Sequence, residues 1–359
     1  MDKLWYTNEL KKVYSQLLDI REKDGSNDKL DLIIKVIENT FQDDIKENIP
    51  FNTIIKDNLT FPRHFLNKEY KIYTKTSFLW PYIDIFSKHK YNYKHQKENK
   101  LDLSNDELIY LTSDFYQNGT NKKVYEIFIK LLNNSKFHFI EDNSDINFLG
   151  DCVYLPYYEK YYVQIVREPT FSDIATISHE FGHGIQMHFN PSYSIYSGIY
   201  VEIVSSFMEL LCYEYFSYIK YFKKDALQVL QETYTSTIDY AIRMQKELNI
   251  LKEISSSNNH ILNSNIKKFF NENPGLINDI IYENPTDNYI YIIGLLIAIE
   301  LFIIYLNDSD KSFYYLFKIM NISANISSKD YFNRLLTLGI NPCENLHSFD
   351  NYLKRRLTK

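Results

Sequence analysis

The residues most able to do chemistry are His179, Glu180 and His183, an H-E-x-x-H pattern within Ser172–Phe189. On a helix, positions four apart lie about 40° apart around the axis and one turn along it, so both imidazoles reach one cation. Glu180 lies off that face by a single residue's rotation, close enough to hold and deprotonate a water beside the ion. A catalytic zinc needs a third protein ligand and an open position.

A metzincin would supply that ligand as a histidine ten residues after His179, with a glycine at seven. Phe189 and Gln186 stand there, so that class is excluded. His188 lies on a different helix face from the other two histidines. The next apolar stretch, Tyr200-Val-Glu-Ile-Val-Ser-Ser-Phe-Met-Glu-Leu-Leu, carries Glu202 and Glu209 seven residues apart, on one face of a helix. Carboxylates on an otherwise apolar face are costly unless paired or bound to a cation. Glu202 is therefore the expected third ligand, completing a His-His-Glu set. Glu209 is the expected acceptor for a ligand histidine's other N–H.

Positioning these groups takes a helix that begins and ends in the right place. Ser172 is the expected N-cap, Asp173 suits the first turn, and Asn190-Pro191 ends the helix near Phe189. Before it, KFHFI (136–140), CVYLP (152–156) and KYYVQIV (160–166) are short, aromatic and β-branched. They read as a small antiparallel sheet, with KYYVQIV offering an edge to an extended peptide. Residues 1–135 read as amphipathic helices, with stripes at Leu10, Val13, Leu17, Leu18 and at Leu30, Ile33, Ile34, Ile37, Phe41. The change of texture near 136–145 divides the chain into an N-terminal helical lobe (1–140) and a catalytic lobe (141–359).

The sequence resembles the zinc oligopeptidases that include oligoendopeptidase F and thimet oligopeptidase. The resemblance rests on YVQIVREPTFSDIATISHEFGHG, VEIVSSFMELL and NYIYIIGLLIAIELF, extends to YFNRLLTLGINP, and covers residues 150–355. It implies a mostly α, elongated, two-lobed fold with a deep cleft, and endopeptidase action on peptides with zinc. Carried onto this chain, it makes His179, His183 and Glu202 the zinc ligands and Glu180 the general base. Tyr289 or Tyr291 becomes the donor to the oxyanion, with Tyr291 the better match to the family's tyrosine series. The chain departs from the pattern at Gln186, at Asn284–Asn288 and at Ile293. Its N-terminal helical region is shorter than the family's, which implies a more open cleft and one specific peptide or precursor as substrate. The competing reading is a weakly active or inactive peptide-binding protein on the same scaffold. The intact His179, Glu180, His183 and Glu202 stand against it.

Composition sets the outer bounds. With 45% hydrophobic and 24% charged residues, the 359-residue chain is globular rather than disordered. Only nine Gly and nine Pro disfavour a turn-rich all-β fold. The net charge of −6 leaves no positive excess for nucleic acid. The stretch Lys88–Lys100 is locally basic with interleaved tyrosines, as a solvated face would be. Three scattered cysteines and no apolar leader after MDKLWYTNEL point to a reducing, cytoplasmic setting. Residues 289–306 nearly suffice to span a bilayer, but Glu300 sits among them, so a buried core helix and no membrane are expected. Nothing in the sequence sets an oligomeric state.

Overall fold

The computed structural model describes residues 5–25, 28–43, 75–89, 99–141, 149–156, 158–194, 198–256 and 289–357. Most of the basic stretch at 88–100, and all of 284–288, lie outside these. The chain forms two compact units, one from residues 1–45, 93–233 and 294–359, the other from 46–92 and 234–293.

In the first unit, the described elements are mostly helices around one small sheet. Helices α1 (Trp5–Asp24) and α2 (Asp28–Asp43) are followed by α4 (Asn105–Gly119) and α5 (Lys122–Asn133), while α3 (Trp80–Ser87) belongs to the other unit. Strands β1 (Ser135–Ile140), β2 (Gly150–Leu155) and β3 (Lys160–Val166) come next. Then follow α6 (Ser172–Phe189), α7 (Val201–Phe216) and the long α8 (Lys223–Ser256). Helices α9 (Tyr289–Asn307), α10 (Ser309–Met320), α11 (Ser328–Thr337) and α12 (Leu346–Leu357) complete the order. Local chemistry starts several of them. Ser104 and Glu107 close a capping box on α4, Asn121 caps α5 through the Val124 N–H at 2.9 Å, and Asp308 caps α10. Helix α11 stops at Gly339, whose φ of 80° only glycine adopts without strain, and the Ile340 N–H closes back on Leu335 O at 3.1 Å.

The sheet is mixed, not antiparallel as expected from sequence. Its order is β1-β3-β2: β2 and β3 form an antiparallel pair, and β1 pairs in parallel with the far side of β3, Phe137 opposite Val163. KYYVQIV is thus the central strand with both edges taken, and it offers no edge. It is buried from Tyr161 to Val166, as a central strand of a covered sheet must be. The sheet straddles the expected 140/141 boundary, since every residue of β1 is paired with β3.

Each sheet face has a helical cover. Val153, Leu155 and Tyr162 cluster with Leu10, Leu17, Ile33, Ile34 and Ile37, so the apolar stripes of α1 and α2 are the layer on one side. On the other, Tyr161 meets Phe181 of α6 with ring centroids 5.5 Å apart, and Phe181 meets Phe128 of α5 at 4.7 Å. Helix α6 is therefore held against the sheet by an aromatic cluster.

Helix α9 is long and apolar enough to cross a membrane, but 72% of its 18-residue apolar window is buried inside the protein. Its Glu300 accepts from the Asn345 backbone N–H at 2.8 Å and from Asn345 Nδ2 at 2.6 Å, a buried carboxylate satisfied by protein.

The second unit is described by 3₁₀ turn Ser77–Leu79, helix α3 (Trp80–Ser87), and the parts of α8 and α9 within it. Phe86 and His89 pack on Tyr234, with centroids 5.8 and 6.2 Å away.

Candidate active site

Helix α6 carries the H-E-x-x-H residues and ends at Phe189, with Asn190 as C-cap. Its start differs from the sequence expectation. Phe171 is the N-cap residue and Ser172 is already helical, its N–H donating to Thr170 Oγ1 at 3.2 Å. Asp173 is in the first turn, where its carboxylate receives the Glu168 N–H at 2.8 Å and Arg167 Nε at 2.7 Å. Those bonds tie the end of β3 to the helix and fix where His179 begins its turn.

Helix α7 runs alongside α6 and brings Glu202 to the histidines. His179 Nε2 lies 3.1 Å from Glu202 Oε2, and His183 Nε2 lies 3.6 Å from the same oxygen. One ligand atom from each of the three residues falls within 4.8 Å of the others. Around a tetrahedral zinc, with bonds of about 2.0–2.2 Å, ligand atoms lie about 3.3–3.6 Å apart. The two separations to Glu202, 3.1 and 3.6 Å, lie near that value, and two imidazoles with a carboxylate are a zinc-type donor set, so these residues fit such an ion.

Each of these three side chains is held from behind. The other ring nitrogen of His179, Nδ1, lies 3.0 Å from Glu209 Oε2, the place expected for Glu209. The Val201 backbone hydrogen-bonds the His183 ring. Ser205 Oγ donates to Glu202 Oε2 at 3.1 Å. Tyr213 donates to Glu209 Oε1 and also meets Thr233 Oγ1 at 3.1 Å. Sequence reading missed Ser205 and Tyr213, although both stand three or four residues after the carboxylate they serve, on the same helix. Gln186 points its amide at Tyr200 O, 2.9 Å away, tying α6 to the residue before α7. His188 faces elsewhere, its Nδ1 2.9 Å from the Tyr154 hydroxyl.

The electrostatics follow from burial and pairing. Burial pushes the Glu180 carboxyl up to about 8, with the His179 charge pulling the other way. Burial drives His183 down to about 4. Burial also penalises the charged forms of Glu202 and His179, but here the neighbours win. The two imidazoles hold Glu202 at about 2, and the hydrogen bonds to Glu202 and Glu209 hold His179 well above an ordinary histidine.

Glu180 itself is 5% exposed. Its backbone carbonyl accepts from the Tyr161 hydroxyl, with Cys152 Sγ 3.8 Å away. Tyr289 and Tyr291 belong to the second unit. Tyr289 is buried and meets Trp80 edge-on at 6.4 Å, whereas Tyr291 is 53% exposed.

No protein-family model matches this sequence, and no curated protein does. Solved structures share its fold. A protein assigned as oligoendopeptidase F from Bacillus anthracis superposes with a TM-score of 0.53 at 12% identity, over 94% of this chain and 64% of that one. Another assigned as oligoendopeptidase F gives 0.53 at 10% identity, over 99% and 66%. PZ peptidase A with an inhibitor gives 0.53 at 10% identity, over 96% and 68%. The chain thus spans less than two thirds of the length of the first two structures.

Proposed function

We propose that this protein is a zinc-dependent endopeptidase that hydrolyses peptide bonds in peptides, with one specific peptide or precursor as its substrate. The observation that carries this is the meeting of His179 Nε2 and His183 Nε2 on Glu202 Oε2, with the Glu180 carboxyl in the same buried turn of α6. The mostly helical fold, shared with oligoendopeptidase F, supports it.

His179, His183 and Glu202 would hold the ion, oriented by Glu209, the Val201 backbone and Ser205. A zinc ion held by these residues would supply Lewis acidity to the attacking water and to the carbonyl under attack. Glu180 accepts the proton of the attacking water and returns it to the leaving amine. Its carboxylate form, disfavoured by burial, is favoured by positive charge beside it. Strand β2 has no second strand beside it among the described residues, and an extended peptide would add to the sheet there. Tyr291 or Tyr289 would donate to the oxyanion, as the family resemblance implies.

The test is a mixed peptide library digested by zinc-loaded protein and read by mass spectrometry, with Glu180→Gln alongside. The parent cleaves, and the variant loses at least about a hundredfold while keeping its metal. A silent parent, or a variant as fast as the parent, defeats the reading.

A further inference from the structure

Alternate residues of β2 face helix α6. Tyr154 reaches His188 near the end of that helix, and Cys152 lies against the Glu180 carbonyl. The third residue of this row is Gly150, which has no side chain to place there. Its neighbours explain why. A Cβ built on Gly150 would stand 2.7 Å from Glu180 Oε1, 2.7 Å from Thr176 Cγ2 and 3.1 Å from Glu180 Cγ. Ordinary contact between carbon atoms is about 3.5–4.0 Å. The Glu180 carboxylate therefore rests on the bare backbone of the strand, in the space a side chain would fill.

Glycine weakens a strand, and inside one it often marks a close approach of another group. Here that group is the general base of the proposed reaction. We infer that Gly150 is a positioning residue for Glu180, its missing side chain setting where the carboxylate oxygen stands. The inference rests on the peptidase reading for its catalytic consequence, and on the contact alone for its geometry.

The consequences for stability and for catalysis separate. The Glu180 carboxylate is the far end of a flexible side chain, so a methyl at position 150 displaces it without breaking the fold. Proton transfer needs that oxygen within hydrogen-bond reach of the water, and a misplacement of about 1 Å costs on the order of a hundredfold in rate. The methyl of Thr176 is the other obstacle, and Thr176→Ser removes it.

The experiment compares Gly150→Ala, Thr176→Ser with Thr176→Ser alone. The double variant is expected to keep its zinc and melt within about 2 °C of the single, while kcat falls about 10- to 100-fold at unchanged KM. In the Glu180→Gln background, the Gly150 change adds no further loss, because the base it positions is already absent. Unchanged kcat, or a full additional loss in the Glu180→Gln background, overturns the inference. A crystal structure of the double variant reads the contact without activity. A displaced Glu180 carboxylate supports the inference, and an unmoved one overturns it. Displacement seen in a protein whose parent cleaves no peptide sinks the peptidase reading alone.

Discussion

Gly294 of α9 lies flush against Glu202 of α7: a methyl on Gly294 would come within 2.5 Å of the Glu202 Cβ and 3.1 Å of its carbonyl oxygen. Gly182 of α6 approaches α7 just as closely, its Cβ position 2.5 Å from Ser205 Cα. The first two turns of α7 are thus held between two bare backbones, which sets the distance from Glu202 to the histidines. Gly294→Ala should force α7 away. Overpacking of this kind costs about 1–3 kcal/mol. The denaturation midpoint should fall, and zinc should be lost to a chelator more readily than from the parent. A variant equal to the parent in both measurements would show that α7 is not held by this contact.

Glu209 should act through His179. Its carboxylate meets Nδ1 at 3.0 Å and is itself held by Tyr213. Removing such a partner costs about 10–100-fold in metal affinity. Glu209→Ala is expected to weaken zinc binding by that amount in a chelator competition, and Tyr213→Phe by less. Equal zinc affinity in Glu209→Ala and parent would remove Glu209 from the site.

The two tyrosines should separate by burial. Tyr289 is packed on Trp80, and Tyr291 is largely exposed. We expect Tyr291→Phe to leave zinc content and melting unchanged and to lower turnover about a hundred- to a thousandfold, the usual cost of losing one oxyanion donor. Tyr289→Phe should slow turnover less. If neither change slows peptide cleavage, the donor is another residue.

Glu300 predicts a pH dependence of stability. Burial raises its carboxyl pKa, against the two donors of Asn345. A raised folded pKa means a contribution that is fully present below the unfolded value, about 4.3, and is lost as pH rises through the folded value. Glu300→Gln does not titrate. The melting temperature of the parent minus that of the variant should therefore fall between pH 4 and pH 7.5. A difference independent of pH would mean that Glu300 does not titrate in its buried site.

What the sequence determined by itself is local. His179 and His183 share a face because the α-helix repeats every 3.6 residues, and that follows from spacing alone. The end of α6 at Phe189, the stripes of α1 and α2, and the shared face of Glu202 and Glu209 are legible for the same reason. What only the tertiary structure decided is non-local. The place of β3 in the middle of the sheet depends on which side β1 pairs with, and the composition of KYYVQIV serves an edge or a centre equally well. Ser172 falls inside the helix rather than at its cap because the Asp173 bonds to Glu168 and Arg167 set the first turn. The 3.1 Å between His179 and Glu202 is a distance between two helices, set where Gly182 and Gly294 let backbones approach. Glu300 amid apolar residues left a core helix and a membrane span to be weighed. Its partner Asn345, 45 positions along the chain, is what lets Glu300 be buried within the protein, because a carboxylate can be buried only where a distant part of the fold supplies the donors that water would.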